Sequence, residues 1–106
     1  MNDKVYKIKI SRQVERDLDD IELYMRGWGT YQENIDKFIN YTYDRIESLA
    51  THPFLGESLS EKTVVPTSIR YLIVDDHLIF YDVIESEVRV YRIISQRRDY
   101  VRILGL

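Results

Sequence analysis

Residues Arg70 to Tyr100, RYLIVDDHLIFYDVIESEVRVYRIISQRRDY, restrict the possible folds more than any other stretch of the chain. Arg70–Val74, Leu78–Val83 and Val88–Ile94 are dense in β-branched and aromatic residues and are separated by Asp75-Asp76 and Glu85-Ser86. Such runs bounded by turn formers read as strands. Two-residue connections permit only antiparallel neighbours, so the stretch predicts a three-stranded meander. Its last strand delivers Ser95-Gln96-Arg97-Arg98-Asp99-Tyr100 to one end of the sheet, and that end is where a recognition or chemical site is expected.

The rest of the chain has to cover that sheet. Val5 to Ile10 alternate, with Tyr6, Ile8 and Ile10 on one side and Lys7 and Lys9 on the other, as in a half-buried strand. Ser11 offers an N-cap. From Arg12 to Arg26 the residues Val14, Leu18, Ile21 and Met25 recur at helical spacing beside Tyr24, opposite Glu15, Asp19, Asp20 and Glu22. Gly27-Trp28-Gly29 ends this helix, because glycine takes the left-handed capping conformation readily. Thr30-Tyr31-Gln32-Glu33 has the form of a capping box and predicts a second helix, with Ile35, Phe38, Ile39, Thr42, Ile46 and Leu49 as its buried stripe. The short connection makes the pair a helical hairpin, and Pro53 stops the second helix one or two residues earlier. Residues 53–67 read as a surface loop with a brief extended piece at Thr63–Val65, and Arg98 to Leu104 as a short terminal helical turn. Helices in one block and strands mostly in another imply an α+β fold: an N-terminal strand, then a helical hairpin packed on an antiparallel meander.

The 106 residues suffice for one domain, taken as 1–106, with one core. Without cysteine there is no disulfide framework and no thiolate nucleophile. No apolar run approaches a membrane span and MNDKVYKIKI lacks the apolar segment of a signal peptide, so a cytoplasmic protein without membrane contact is expected. The net charge of −3 divides into −4 over residues 1–61 and +1 over residues 62–106. General polyanion binding needs many clustered cations and is excluded by that balance.

The ordered set Tyr6-Lys7-Ile8, Ser11, Val14, Asp17-Leu18, Ile21, Tyr24, Ile46, Leu49-Ala50, Pro53, Gly56, Ile69-Arg70-Tyr71, Leu78-Ile79-Phe80-Tyr81-Asp82-Val83, Val90, Arg92-Ile93 and Arg97-Arg98-Asp99 resembles the RelE/ParE family of bacterial toxins, and more closely its ParE branch. The resemblance spans nearly the whole chain. It implies the toxin of a type II toxin–antitoxin module, restrained by a cognate antitoxin and acting on DNA gyrase. The alternatives it leaves are a RelE-like, metal-independent endoribonuclease cutting mRNA on the ribosome, and an inactive relic that still binds antitoxin. Two departures set this chain apart from the nucleases: Ser95-Gln96 stands where a histidine is frequent before the arginine pair, and Leu78 stands where those enzymes often have an arginine.

On the nuclease reading the catalytic candidates are Arg70, Tyr81, Arg97, Arg98 and Tyr100. Guanidinium groups hold phosphates by bidentate charge-assisted bonds, and tyrosines can donate protons or stack on bases. The target-binding candidates are Arg97, Arg98, Asp99 and Trp28. Each has a plainer reading: an arginine pair bonded to Asp99 or a helix carboxylate, an Arg70 stem packed on the sheet, a Tyr81 that is a sheet aromatic, a Trp28 over the open end of the helix pair. His77 could be a general base or an exposed turn residue. His52, before Pro53, is expected to bond the last carbonyls of its helix. Nothing in the spacing implies a metal site or a cofactor.

Overall fold

The computed structural model describes residues 4–106, so Met1–Asp3 of the expected domain lie outside the described residues. Five strands form one sheet in the order β1-β5-β4-β3-β2, where β1 is Lys7–Ile10, β2 Glu57–Ser58, β3 Arg70–Val74, β4 His77–Ile84 and β5 Glu87–Ser95. The meander β3-β4-β5 is antiparallel as expected, and β1 joins β5 in parallel, with Lys7 opposite Glu87 and Ile10 opposite Val90. The tight turns require φ of 51° at Asp75 and 57° at Glu85, left-handed backbone that aspartate tolerates better than glutamate.

Helices α1 (Arg12–Gly27) and α2 (Gln32–Ser48) pack on one face. Val14 and Leu18 of α1 and Phe38 and Ile46 of α2 meet Leu72, Val74, Ile79, Tyr81, Val88, Val90 and Ile93 in a single apolar cluster. Tyr6 and Ile8 of β1 join it at the margin, whereas Ile10 is 39% exposed, contrary to the simple alternation. The opposite face carries a second cluster, Leu59, Tyr71, Leu78, Phe80 and Ile94, covered by Ile69 and by Tyr100, Ile103, Leu104 and Leu106. The chain thus covers both faces of the meander, the second with the short helix α3 (Tyr100–Ile103) and the residues after it.

Several local expectations are corrected. Thr30 does not cap α2: Tyr31 is the N-cap residue and makes no side-chain cap bond, while Glu33 pairs with Lys37 one turn on. Gly29, at φ 76°, is the residue that turns the chain after α1. Helix α2 stops at Ser48, further from Pro53 than expected, and a turn over Leu49–Thr51 fills the gap. The extended piece in the 53–67 segment is β2, not Thr63–Val65, and a 3-10 turn over Leu59–Lys62 follows it. No helix among the described residues is long and apolar enough to cross a membrane.

Candidate functional site

The last strand, β5, carries a bulge. Tyr81 is registered with Val90 but Phe80 with Arg92, so Tyr91 has no partner in the ladder. A bulge re-aims the residues beyond it. On its other side β5 loses its neighbour at the same level, since β1 ends at Ile10. Helix α1 takes the missing strand's place. Ser11 donates its N–H to the Val90 carbonyl at 3.0 Å and its hydroxyl to the Tyr91 carbonyl at 2.8 Å. The Asp17 carboxylate, only 6% exposed, accepts the Ile93 N–H at 2.9 Å, both Arg92 Nε and Nη2 at 2.9 and 3.0 Å, and Gln13 Nε2 at 3.0 Å. Tyr91 turns its hydroxyl to buried Asp82 at 2.8 Å, and burial raises the phenol's pKa.

Anchored this way, β5 ends at a groove of about 630 Å³. One wall is the Asp17, Asp20, Ile21, Tyr24 and Met25 face of α1, the floor includes Phe38, Ile93 and Ile94, and the other wall joins Asp75, Asp76 and His77 to Ser95, Arg97 and Arg98. The arginine loop is held by its backbone: Gln96 N–H donates to the Asp76 carbonyl at 2.9 Å, Arg98 N–H to the Ser95 carbonyl at 3.1 Å, and Arg97 N–H to Ser95 Oγ at 3.3 Å. Both arginines are exposed, and among the described residues neither forms an ion pair. The neighbouring Asp99 instead caps α3 by accepting the Arg102 N–H at 3.3 Å. The His77 ring packs at a tilt of 60° against Phe38, centroids 5.2 Å apart; its Nδ1 is buried without a hydrogen-bond partner, and burial lowers its pKa against the opposing pull of Asp76 and Asp75.

The other candidates lie elsewhere. Arg70 starts β3, at the end remote from Val74, which is registered with His77 and through it with Ser95. That is about 13 Å along the strand direction from the level of Ser95, with the arginine loop further on. Arg70 donates to the Gly56 carbonyl from Nε at 3.0 Å and Nη2 at 2.7 Å, and to the Phe54 carbonyl at 3.3 Å, and it lies 5.4 Å from the Phe54 ring. Tyr81 is fully buried; its hydroxyl accepts the Gly56 N–H at 2.8 Å, and desolvation raises its pKa. Arg70 and Tyr81 therefore clamp Gly56 from both of its polar groups. Tyr100 packs 5.4 Å from Phe80 on the face away from the helices. Trp28 is 75% exposed with its ring 6.1 Å from that of Tyr24, beyond the groove and not folded over the helix pair. The His52 ring meets the Thr51 hydroxyl at 2.9 Å and not the helix carbonyls. Of the sequence candidates only Arg97, Arg98 and His77 share the groove. Sequence reasoning missed Asp17, whose signal was its place on the apolar side of α1, adjacent to Leu18.

A family model described as the ParE toxin of the type II toxin–antitoxin system, parDE, matches residues 8–100. Among solved structures, the chain is similar to one of a chromosomal ParDE toxin–antitoxin system from P. aeruginosa, at 19% identity with a TM-score of 0.70, covering 87% of this chain and 97% of that one. It is also similar to the solution structure of a conserved hypothetical protein from Helicobacter pylori, at 18% identity with a TM-score of 0.55, covering 88% and 97%. No curated protein matches it. With the match running from the first strand through the meander to Tyr100, the chain belongs to the ParE toxin family of type II toxin–antitoxin systems.

Proposed function

We propose that this chain arrests growth by binding DNA gyrase and that a cognate antitoxin restrains it by occupying the groove beside Arg97 and Arg98. One observation carries the choice of gyrase over mRNA. Leu78 is 3% exposed within the apolar cluster that Tyr100, Ile103, Leu104 and Leu106 cover. RNA cleavage through a 2′-hydroxyl needs a base, an acid and cations around the developing charge. A leucine sealed under the C-terminal segment supplies none of these, and the Tyr81 hydroxyl is fully buried beside Gly56, away from any substrate. On the gyrase reading the exposed arginines act by contact, without chemistry of their own.

The nuclease reading retains one observation: His77 lines the same groove as the two arginines. The test sets purified protein in a gyrase supercoiling and cleavage assay beside ribosome-programmed mRNA cleavage. Gyrase inhibition with intact mRNA is expected. Cut mRNA with unaffected gyrase overturns the proposal, and inactivity in both assays, with antitoxin still bound, indicates the relic. For the antitoxin, Ile21, Tyr24 and Met25 present an apolar strip at helical spacing that suits an amphipathic helical segment.

A further inference from the structure

The face of the sheet away from the helices is covered unevenly. Tyr100, Ile103, Leu104 and Leu106 lie over Leu78, Phe80 and Ile94. Side chains alternate along a strand, so the next residue of β4 on that face is Asp82. At its level β4 loses its neighbour. β3 is registered with β4 only as far as Arg70 opposite Tyr81. Ile69, which would come opposite Asp82, is drawn off: its carbonyl accepts the Leu59 N–H at 2.8 Å, and its N–H donates to Thr67 Oγ1 at 3.2 Å. A pocket of about 470 Å³ opens there, bounded by the 67–69 segment, by Ile103 and Leu104, and by Asp82, Tyr91 and Arg92.

Asp82 is 7% exposed, and a carboxylate buried that far ordinarily has a cation beside it. This one does not. Among the described residues it forms no ion pair, and its one hydrogen bond is the 2.8 Å bond that Oδ1 accepts from the Tyr91 hydroxyl. Two arginines on β5 are near it in the sheet, and both are held by other carboxylates. Arg89, directly across from Asp82, pairs with Glu87 at 3.0 Å, and Arg92, which shares the pocket, pairs with Asp17 at 2.9 Å. A carboxylate offers about four acceptor sites, so Oδ2 is left without a donor. Because Asp17 neutralises Arg92, the uncompensated charge of the pocket is that of Asp82. Ile69, Ile103 and Leu104 make the rest of the wall apolar, which favours an aliphatic stem over a hydrated metal ion. No cluster of metal-ligating side chains surrounds the carboxylate among the described residues.

We propose that this pocket binds a small organic cation, a primary ammonium or guanidinium on a short aliphatic stem. The head donates charge-assisted hydrogen bonds to the free side of the Asp82 carboxylate, and the stem lies against Ile69, Ile103 and Leu104. The site depends on neither the gyrase nor the antitoxin reading, so the experiment uses no growth, gyrase or antitoxin readout. The probes are n-butylammonium and n-butylguanidinium, with n-butanol and butyrate as uncharged and anionic controls. Each is titrated into the full chain, with binding followed by NMR amide shifts and by the thermal unfolding midpoint.

The cations should shift the amides of Ile69, Asp82 and Leu104 and raise the unfolding midpoint, and the controls should do neither. Binding of either cation supports the proposal, and the tighter one names the head group. Asp82→Asn keeps an acceptor for the Tyr91 hydroxyl. It should bind the cations roughly ten- to a hundredfold more weakly, the range of a hydrogen bond to a charged group. Without any cation present it should unfold at a midpoint no lower than the parent's, because it removes a buried charge that has no partner. A lower midpoint for Asp82→Asn shows that the fold already satisfies the carboxylate, and it overturns the proposal. So do equal binding of butanol, cation affinity unchanged in Asp82→Asn, the absence of any shift at Ile69, Asp82 and Leu104, or shifts confined to the groove around Asp75, Asp76, Arg97 and Arg98.

Discussion

Asp17 on α1 is the hydrogen-bonding partner that β5 lacks: its Oδ2 lies 2.9 Å from both the Ile93 N–H nitrogen and Arg92 Nε. The carboxylate is buried and the Arg92 side chain is 24% exposed, so the pair stands at the boundary between core and groove. Removing one member of a buried ion pair leaves the other charge uncompensated, at about 3–5 kcal/mol. Asp17→Ala should lower the urea unfolding free energy by about that amount, since it also orphans a backbone N–H. Arg92→Ala should cost less, because its site admits water. An Asp17→Ala protein with unchanged unfolding midpoint and slope would count against this account of how β5 is held.

A second clamp gives a sharper steric test. A Cβ on Gly56 would lie 2.6 Å from the Tyr71 carbonyl oxygen and 2.7 Å from the Tyr81 hydroxyl. Neither atom can retreat easily, the first being backbone and the second buried. Gly56→Ala should destabilise by about 1–3 kcal/mol, the usual range for overpacking. Tyr81→Phe keeps the ring but leaves the Gly56 N–H unpaired, for about 1–3 kcal/mol. If Tyr81→Phe instead abolished an RNA-cleaving activity at undiminished stability, the hydroxyl would be a proton donor and not a tie to the loop.

These clamps also show where sequence reading succeeds and where it stops. The strands and the apolar stripes of both helices are legible because period and turn chemistry are local. Gly56, Arg70 and Tyr81 are far apart in sequence, and no local pattern announces that two of them bind the backbone of the third. Asp17 lies on the apolar side of α1 beside Leu18, but no local pattern says which backbone N–H and which arginine its carboxylate meets. The bulge at Tyr91 was invisible for a related reason: one extra residue changes the phase of β5 without changing its composition. Thr30 through Glu33 had the right letters for a capping box, but the tight turn at Gly29 and the Thr30 N–H bond to the Met25 carbonyl set Tyr31 as the N-cap. The arginine pair was legible as a position, and its groove was not, because α1, Phe38 and the turn before β4 converge only in three dimensions.

His77 gives the fold a pH dependence. Burial against Phe38 lowers its pKa in the folded state, so the folded chain binds fewer protons there than the unfolded chain. Stability is then fully present above the ordinary histidine range near 6.5 and falls as the pH drops from there toward the depressed folded value. Urea unfolding followed downward from pH 7.5 should show this loss before the carboxylates titrate. His77→Gln should flatten that part of the profile. An unchanged slope in the variant would assign the loss to other groups.

The exposed arginines separate function from stability. Arg97 and Arg98 follow β5, form no ion pair among the described residues, and fill no core site. Surface substitutions usually shift stability by no more than about 0.5 kcal/mol. Arg97→Ala with Arg98→Ala should therefore unfold within about that margin of the parent. Phe38→Ala, at a site 6% exposed that also supports His77, should cost about 3–5 kcal/mol. On the proposed function the double arginine variant loses gyrase inhibition and growth arrest while remaining folded, and mRNA on the ribosome stays intact with either protein. If the nuclease reading were right, the parent would cut that mRNA and the double variant would not, with His77→Gln also impaired. Full toxicity in a folded double variant would remove the arginines from the site altogether. The Phe38→Ala protein guards against misreading a stability effect, because toxicity lost in proportion to its unfolded fraction shows how far stability alone accounts for a phenotype. A double arginine variant that is inactive at parental stability lies off that line, and only a contact made by the guanidinium groups explains it.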